Sequence, residues 1–210
     1  MTITIIDYGM GNLKNVKKAF AAIGLVAEIT SDPEKILKAD KVVLPGVGAF
    51  RDAISELNTS GLAEAIQEVV KQGTPLLGIC LGMQLLFDRS YEYGEHKGLG
   101  ILPGEIIKMT PNEMVDTSGR SLKIPHMGWN NLEIIKPAPL LTGLEQASSV
   151  YFVHSYYLET TSDVVSAYTT YGKRIAVAAQ KDYIFATQFH PEKSGPIGLQ
   201  ILKNFGGIKS

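Results

Sequence analysis

One stretch constrains this chain more than any other: Pro75-Leu76-Leu77-Gly78-Ile79-Cys80-Leu81-Gly82-Met83-Gln84-Leu85-Leu86-Phe87. An apolar run enters Cys80, a helical apolar pattern leaves it, and a glycine stands two residues away on either side. That spells a strand, a sharp turn and a helix, with the cysteine at the corner. In the serine version, G-x-S-x-G, the glycines remove side chains that would collide at a strained strand-to-helix turn. The nucleophile is then held out at the carboxyl edge of a sheet. A residue so placed also meets a helix N-terminus, which favours negative charge such as that of a thiolate. The plainer reading is a buried core cysteine, the usual fate of a lone Cys in an apolar run. Lifting Cys80 above it requires partners elsewhere in the chain.

The amino-terminal half supplies a frame. Short β-branched or apolar runs at 3–7, 25–30, 40–44 and 76–79 predict strands. Helical patterns at 13–23, 51–57 and 62–71, and a short helix opened by Ser31-Asp32-Pro33-Glu34, lie between them. Continuously apolar strands alternating with helices predict an α/β fold whose parallel sheet is covered on both faces. In such sheets the loops at the carboxyl ends of strands carry the site, and both Pro45–Phe50 and Cys80 fall there. The Gly9-Met10-Gly11 loop fails the dinucleotide fingerprint, since Lys14 stands where its third glycine belongs; a tight turn is the better reading.

After Phe87 the texture changes. Residues 88–100 are polar and glycine-rich, a strand is expected at 105–109 and an exposed hairpin tip at 112–120. Further strands are expected at 132–135, 150–158, 164–170, 175–181 and 184–188, with a last helix at 199–205. These short strands and tight turns predict an antiparallel extension of the sheet. At 210 residues, without repeats or a low-complexity linker, the chain reads as a single domain, 1–210. Its 45% apolar content and net charge of −1 argue against disorder and against a dedicated nucleic-acid binder. One cysteine allows no internal disulfide, and no apolar run approaches a membrane span or a leader, so the expected setting is the cytoplasm.

A catalytic thiol needs a base and a group that orients the base. Of the four histidines, His96 lies among Glu95 and Lys97 and is expected to face solvent, and His126 follows Pro125 in a strand-like connection. His154 fits a satisfied strand position. His190 differs, because it ends an apolar strand with Pro191 next and Glu192 two residues on. Proline biases His190 to an extended backbone, where residues two apart share a side, so Glu192 can reach the imidazole and set its tautomer. Acyl transfer also needs N–H donors for the oxyanion. The N–H of Leu81 supplies one, and the Pro45-Gly46-Val47-Gly48 loop offers a second.

With these motifs in order, the chain resembles the class I (triad) glutamine amidotransferases over nearly its whole length. The resemblance rests on Gly78–Gln84, His190-Pro191-Glu192, Asp7–Leu13, Pro45–Phe50, Pro125–Asn130 and Tyr151–Tyr156. Within the class it is nearest to the glutaminase subunits of imidazole glycerol phosphate synthases. The vitamin B6 type would carry Gly-Gly-Glu-Ser-Thr at 45–50, and the anthranilate type a histidine at Met83. The resemblance implies the three-layer, flavodoxin-like amidotransferase fold, with a mostly parallel central sheet and an antiparallel extension. It implies glutamine hydrolysis with ammonia passed to a (β/α)8-barrel cyclase partner, no cofactor and no metal. By resemblance Cys80 is the nucleophile, His190 the acid/base and Glu192 its orienter. Val47, Gly48 and Leu81 supply the oxyanion hole, and Gln84, Glu92, Ser155 and Tyr156 hold the glutamine. Asn12, Asn15, Trp129, Tyr151 and Lys181 fall at the partner interface. The competing reading is a partnerless cysteine hydrolase of similar topology.

Overall fold

The computed structural model describes residues 2–209. The first half runs β1 (Ile3–Ile6), α1 (Leu13–Ala22), β2 (Ala27–Thr30), α2 (Pro33–Leu37), β3 (Lys41–Gly46), α3 (Phe50–Thr59), α4 (Leu62–Lys71), β4 (Leu76–Cys80) and α5 (Leu81–Leu85). These four strands pair in parallel in the order β2-β1-β3-β4. Strands β1, β3 and β4 are buried at every residue, so their side chains go alternately into two cores. Val42, Leu44 and Leu76 join Phe50, Leu57, Ile66 and Val69 on one face. Val43, Leu77 and Ile79 join Val16 and Phe20 of α1 on the other. The helices obey the predicted signals: Asp32 Oδ1 accepts from the Glu34 N–H at 3.0 Å and Pro33 opens α2.

The second half holds β5 (Arg89–Ser90), β6 (His96–Lys97), β7 (Glu105–Lys108), β8 (His126–Asn131), β9 (Glu133–Ile134), β10 (Ser149–His154), β11 (Tyr156–Glu159), β12 (Val165–Tyr171), β13 (Lys173–Lys181) and β14 (Ile184–Thr187). The helix α6 (Gly195–Gly207) closes the chain's described part. The sheet continues from β4 through β14, β13, β11, β7, β5 and β6. Strand β14 is parallel to β4, and the turn back to β13 begins the antiparallel extension. Helix α6 packs Ile201, Leu202 and Phe205 beside α1, completing the third layer. Among the described residues no helix is long and apolar enough to cross a membrane.

Several boundaries differ from the sequence expectation, each for a local reason. Strand β3 continues through Pro45 to Gly46 because Gly46 still registers with Cys80 of β4. Helix α5 stops at Leu85, two residues short of Phe87. The 99–102 segment takes the carbonyls of Leu85, Leu86 and Phe87, so they cannot continue a helix. The run 150–158 breaks at Ser155: β10 pairs with β8 in a separate two-stranded sheet, and β11 joins the main one. The strand expected at 132–135 is present but short, as β9, and the connection read before it is itself a strand, β8. The loop at 88–100 contains the β5–β6 pair, and His96 within it is half-buried rather than solvent-facing. Helix α6 begins at Gly195, ahead of the expected 199, since Pro196 is tolerated in a first turn.

The corner at Cys80 depends on missing side chains. A Cβ on Gly82 would overlap the Leu44 carbonyl oxygen, and one on Gly78 would sit 2.7 Å from the Gly82 carbonyl oxygen. Gly46, on the neighbouring strand, is under the same pressure, 2.9 Å from Leu81 Cβ. We expect Gly82→Ala to destabilise the protein by about 3 kcal/mol or more, as overpacking against rigid backbone does. Gly207→Ala, where nothing lies within 4 Å of the added carbon, should stay within about 1 kcal/mol of neutral. Denaturant unfolding of the two variants checks the contrast; similar losses in both would show that the corner is not the constraint.

Candidate active site

Cys80 ends β4 with φ 56° and ψ −112°, a backbone region that side-chain-bearing residues avoid. The chain folds that way because β4 must end and α5 begin without space for a longer loop, and the three glycines let the elements touch. The thiol is shielded, at 7% exposure, and its Sγ lies 4.0 Å from the Val153 carbonyl oxygen.

His190 approaches from the other side of the sheet seam. Its N–H donates to the Tyr151 carbonyl at 3.0 Å, and its own carbonyl accepts from Ser194 Oγ. The backbone at His190 is extended, as Pro191 requires, with φ −99° and ψ 98°. Residues Pro191–Lys193 then wind into a 3-10 turn, and it is this turn that brings Glu192 Oε1 to 2.8 Å from His190 Nδ1. Both side chains are 2% exposed. Burial alone would keep the imidazole neutral. The neighbouring Cys80 and Glu192, by hydrogen bonding and charge, outweigh it and raise His190 to about 10. His190 Nε2 has no hydrogen bond of ordinary geometry, so toward the sulfur the pair is near but not closed. Apo catalytic pairs commonly tighten only around substrate.

A cavity of about 340 Å³ opens beside the thiol. Its lining includes Cys80 and His190, the expected oxyanion residues Val47, Gly48 and Leu81, and the expected glutamine residues Gln84, Glu92, Ser155 and Tyr156. Only Glu192 of the expected catalytic and substrate set stands behind the wall. A larger open hollow of about 640 Å³, between α2 and α4, contains none of them. Gly48 has φ 104°, which suits glycine, and the strand-end loop is tied at both ends. Tyr8 Oη donates to the Pro45 carbonyl at 2.9 Å, and Glu92 Oε2 accepts from the Phe50 N–H at 2.6 Å. Burial, with Cys80 close by, pushes the Tyr8 phenol well up, so it remains a donor.

Two further histidines support the wall. His154 Nδ1 lies 2.8 Å from the Tyr156 carbonyl and so carries the proton there. Its Nε2 then accepts from His126 Nδ1 at 3.0 Å, and His126 is stacked on Phe152 and Tyr171. Burial lowers His126 to about 4 and His154 to about 3. His154 is thus the satisfied strand residue expected from sequence, with the addition that it lines the cavity.

The expected interface residues divide. Trp129 and Tyr151 face each other across β8 and β10, with ring centroids 6.2 Å apart and Trp129 57% exposed. Asn12 and Asn15 are exposed at the start of α1, and Asn15 shares a hollow with Glu192. Lys181 is not brought near them. It registers with Ile184, which lies beside Leu76 at the amino end of β4, the opposite edge from Cys80. The lysine placed over the Tyr151 ring, at 5.8 Å, is Lys193. Sequence reasoning missed it, although it directly follows Glu192. It also missed the contacts of Tyr8, 37 residues from the carbonyl it bonds, and of Gln188, 108 residues from Cys80 although only two from His190.

A strained cysteine, a histidine backed by a buried glutamate and a glycine loop, gathered at one cavity on a doubly covered sheet, are the groups that thiol acyl transfer requires. The sequence model of the family described as glutamine amidotransferase class-I matches residues 4–207, and the chain belongs to that family. More particularly, it is 52% identical to the imidazole glycerol phosphate synthase subunit HisH of Syntrophotalea carbinolica, covering 98% of this chain and 100% of that one. It is 50% identical to the protein of the same name from Geobacter sulfurreducens, covering 99% of each. Among solved structures, a glutamine amidotransferase superposes with a TM-score of 0.72 over 97% of this chain and 98% of that one. Its 19% identity makes it evidence of the fold alone.

The buried histidine pair has a thermodynamic consequence. Both groups have folded values below their ordinary 6.5, so the folded state binds fewer protons than the unfolded chain as pH falls below 6.5. The stability present above pH 6.5 is therefore lost progressively toward pH 4. Between pH 6.5 and 5, before most carboxylates titrate, denaturant unfolding should show falling stability, by up to about 1.4 kcal/mol per pH unit per histidine. A flat profile there would contradict the arrangement.

Proposed function

We infer that this chain, as one amidotransferase domain, is the glutaminase subunit of an imidazole glycerol phosphate synthase. It hydrolyses glutamine to glutamate and ammonia and delivers the ammonia to a (β/α)8-barrel cyclase partner. There the ammonia is combined with a phosphoribulosyl formimino ribonucleotide, giving imidazole glycerol phosphate and an aminoimidazole carboxamide ribotide in histidine biosynthesis. We place it in the cytoplasm. The observation that carries the reading is the single cavity shared by Cys80, His190, the glycine loop and the polar residues opposite. The whole-length likeness to the HisH proteins supports the particular synthase.

In this mechanism the Cys80 thiolate attacks the side-chain amide carbon of glutamine, forming the C–S bond. The oxyanion is received by the N–H groups of Leu81 and of the Val47–Gly48 loop, an effect worth roughly 2.7–4 kcal/mol per donor. His190, protonated, gives its proton to the departing nitrogen, and ammonia leaves as the C–N bond breaks. His190, now neutral, takes a proton from water, whose oxygen attacks the γ-glutamyl thioester and releases glutamate and the thiolate. Covalent capture divides one difficult step into two. Glu192 holds the imidazole by Nδ1, so that Nε2 faces the sulfur. Gln84, Glu92, Ser155 and Tyr156 receive the substrate's ammonium and carboxylate. The partner surface is formed by Asn12, Asn15, Trp129 and Tyr151, with Lys193 rather than Lys181 as its cation.

Cys80→Ala should lower glutamine hydrolysis by roughly 10⁴-fold or more while leaving the fold and ammonia-dependent synthesis by the complex intact. Glutamine turnover near the wild-type level in that variant would sink the assignment. The isolated chain is expected to be slow, and an assay with and without the barrel partner and its nucleotide should show strong stimulation. The alkaline limb of kcat/KM, which requires protonated His190, should fall as pH rises through about 10. Glu192→Gln removes a charge that raises His190, so this limb should move to lower pH; an unmoved limb would remove Glu192 from its role.

A further inference from the structure

We propose that Gln188 is a positioning residue that couples the substrate wall of the cavity to the nucleophile. It holds Gln84 through its amide oxygen and offers its amide NH₂ to the Cys80 sulfur. Gln188 follows β14, is fully buried, and has its backbone N–H fixed on the Val177 carbonyl at 2.9 Å. The orientation of both amides follows from one group that can only accept, the Tyr156 carbonyl. The Gln84 atom 3.4 Å from that oxygen is therefore its NH₂. The same NH₂ lies 2.9 Å from Gln188, so it meets the Gln188 oxygen. The atom of Gln188 that remains, 3.9 Å from Cys80 Sγ, is then a donor. Flipping either amide would set donor against donor or acceptor against acceptor in a buried site, which is costly.

Two effects follow. A donor aimed at the sulfur favours the thiolate over the thiol and gains strength as charge develops there. In the thiol, the S–H has the Val153 carbonyl to turn to, which leaves a sulfur lone pair for Gln188. At the cavity wall, Gln84 has its NH₂ engaged and keeps its own oxygen as an acceptor, suited to the α-ammonium of glutamine. This second effect rests on the glutaminase reading; the first does not. Gln188 and His190 lie two apart where the chain bends after β14, and both reach toward Cys80, Gln188 through its NH₂ and His190 as part of the same cavity lining. A single strand end thus carries both the acid/base and the group that steadies the nucleophile.

Gln188→Met keeps the length of the side chain and removes both amide functions. Its Cys80 should react with iodoacetamide about tenfold more slowly at pH 7, with the pH profile of alkylation displaced to higher pH. KM for glutamine should rise several-fold, beyond any change in kcat. Gln188→Asn, which retains an amide, should recover part of both. An alkylation profile equal to that of the wild type would overturn the proposal. The wild-type protein gives an arm independent of folding of the variant. The side-chain NH₂ resonances of Gln188 should move as Cys80 titrates and stay still over the same pH range in Cys80→Ala, and resonances that do not follow the thiol would also overturn it. Alkylation and resonance shifts need no glutamine, so failure of the glutaminase reading would appear separately, as absent turnover with both responses intact.

Discussion

The approach of α5 onto β3 is the contact on which the rest of the structure depends. Three glycines, Gly46, Gly78 and Gly82, let backbone meet backbone there, and Cys80 is left at a positive φ that costs of order 1–3 kcal/mol. That cost is offset by the fully buried side chains packed round the corner, among them Leu44, Met83, Leu85, Leu86 and Phe87. The carbonyls left over when α5 stops are taken by the 99–102 segment. Reactive geometry and core packing are therefore one feature. A loosened core would let Cys80 relax, and the thiol would turn from the cavity.

A second constraint is the parallel register of β14 on β4, with Thr187 beside Ile79. It sets how far each strand runs past the sheet edge, one residue to Cys80 and three to His190. A slip of one residue would exchange the faces of every side chain on the strand. Gln188 and His190 would then point to the layer behind the sheet. The antiparallel extension has a function in this respect. Strand β13 anchors β14 from its free side through Ala178–Lys181, so the register is held from both edges.

Much of this was legible in the sequence because it is written in local signals. The glycines around Cys80, the Asp32-Pro33 helix start and the His190–Glu192 pairing each announce themselves within a few residues, although the pair closes through a 3-10 turn and not through the extended chain expected. What was not legible depends on pairing across the fold. The break at Ser155 is invisible in an apolar run that looks continuous, because it is caused by β10 and β11 finding different partners. Gly46 reads as an ordinary loop glycine until β3 lies beside β4. Lys181 and Lys193 differ by only twelve positions, yet lie at opposite ends of the sheet region, since β14 and the 3-10 turn intervene. Tyr8 and Gln188 act 37 and 108 residues from the groups they bond, a distance no motif spans.

The three buried histidines show how one low-dielectric wall produces opposite charge states. Burial acts on all of them in the same direction, against the imidazolium. His126 and His154 hydrogen-bond to carbonyl, amide and imidazole groups, so burial prevails and both stay neutral. His190 faces two groups that can carry negative charge, and it is driven up to about 10 instead. The sign of the linkage follows for each. His126 and His154 lose stability as pH falls from 6.5, whereas the stabilisation from His190 is full below 6.5 and is lost as pH rises toward 10. The fold is thus stressed from the acid side by His126 and His154 and from the alkaline side by His190. His154 also donates from Nδ1 to the Tyr156 carbonyl, the same acceptor from which the Gln84–Gln188 orientation is set. Neutrality is what lets His154 Nε2 accept from His126 Nδ1, so the wall behind the amides keeps its hydrogen bonds.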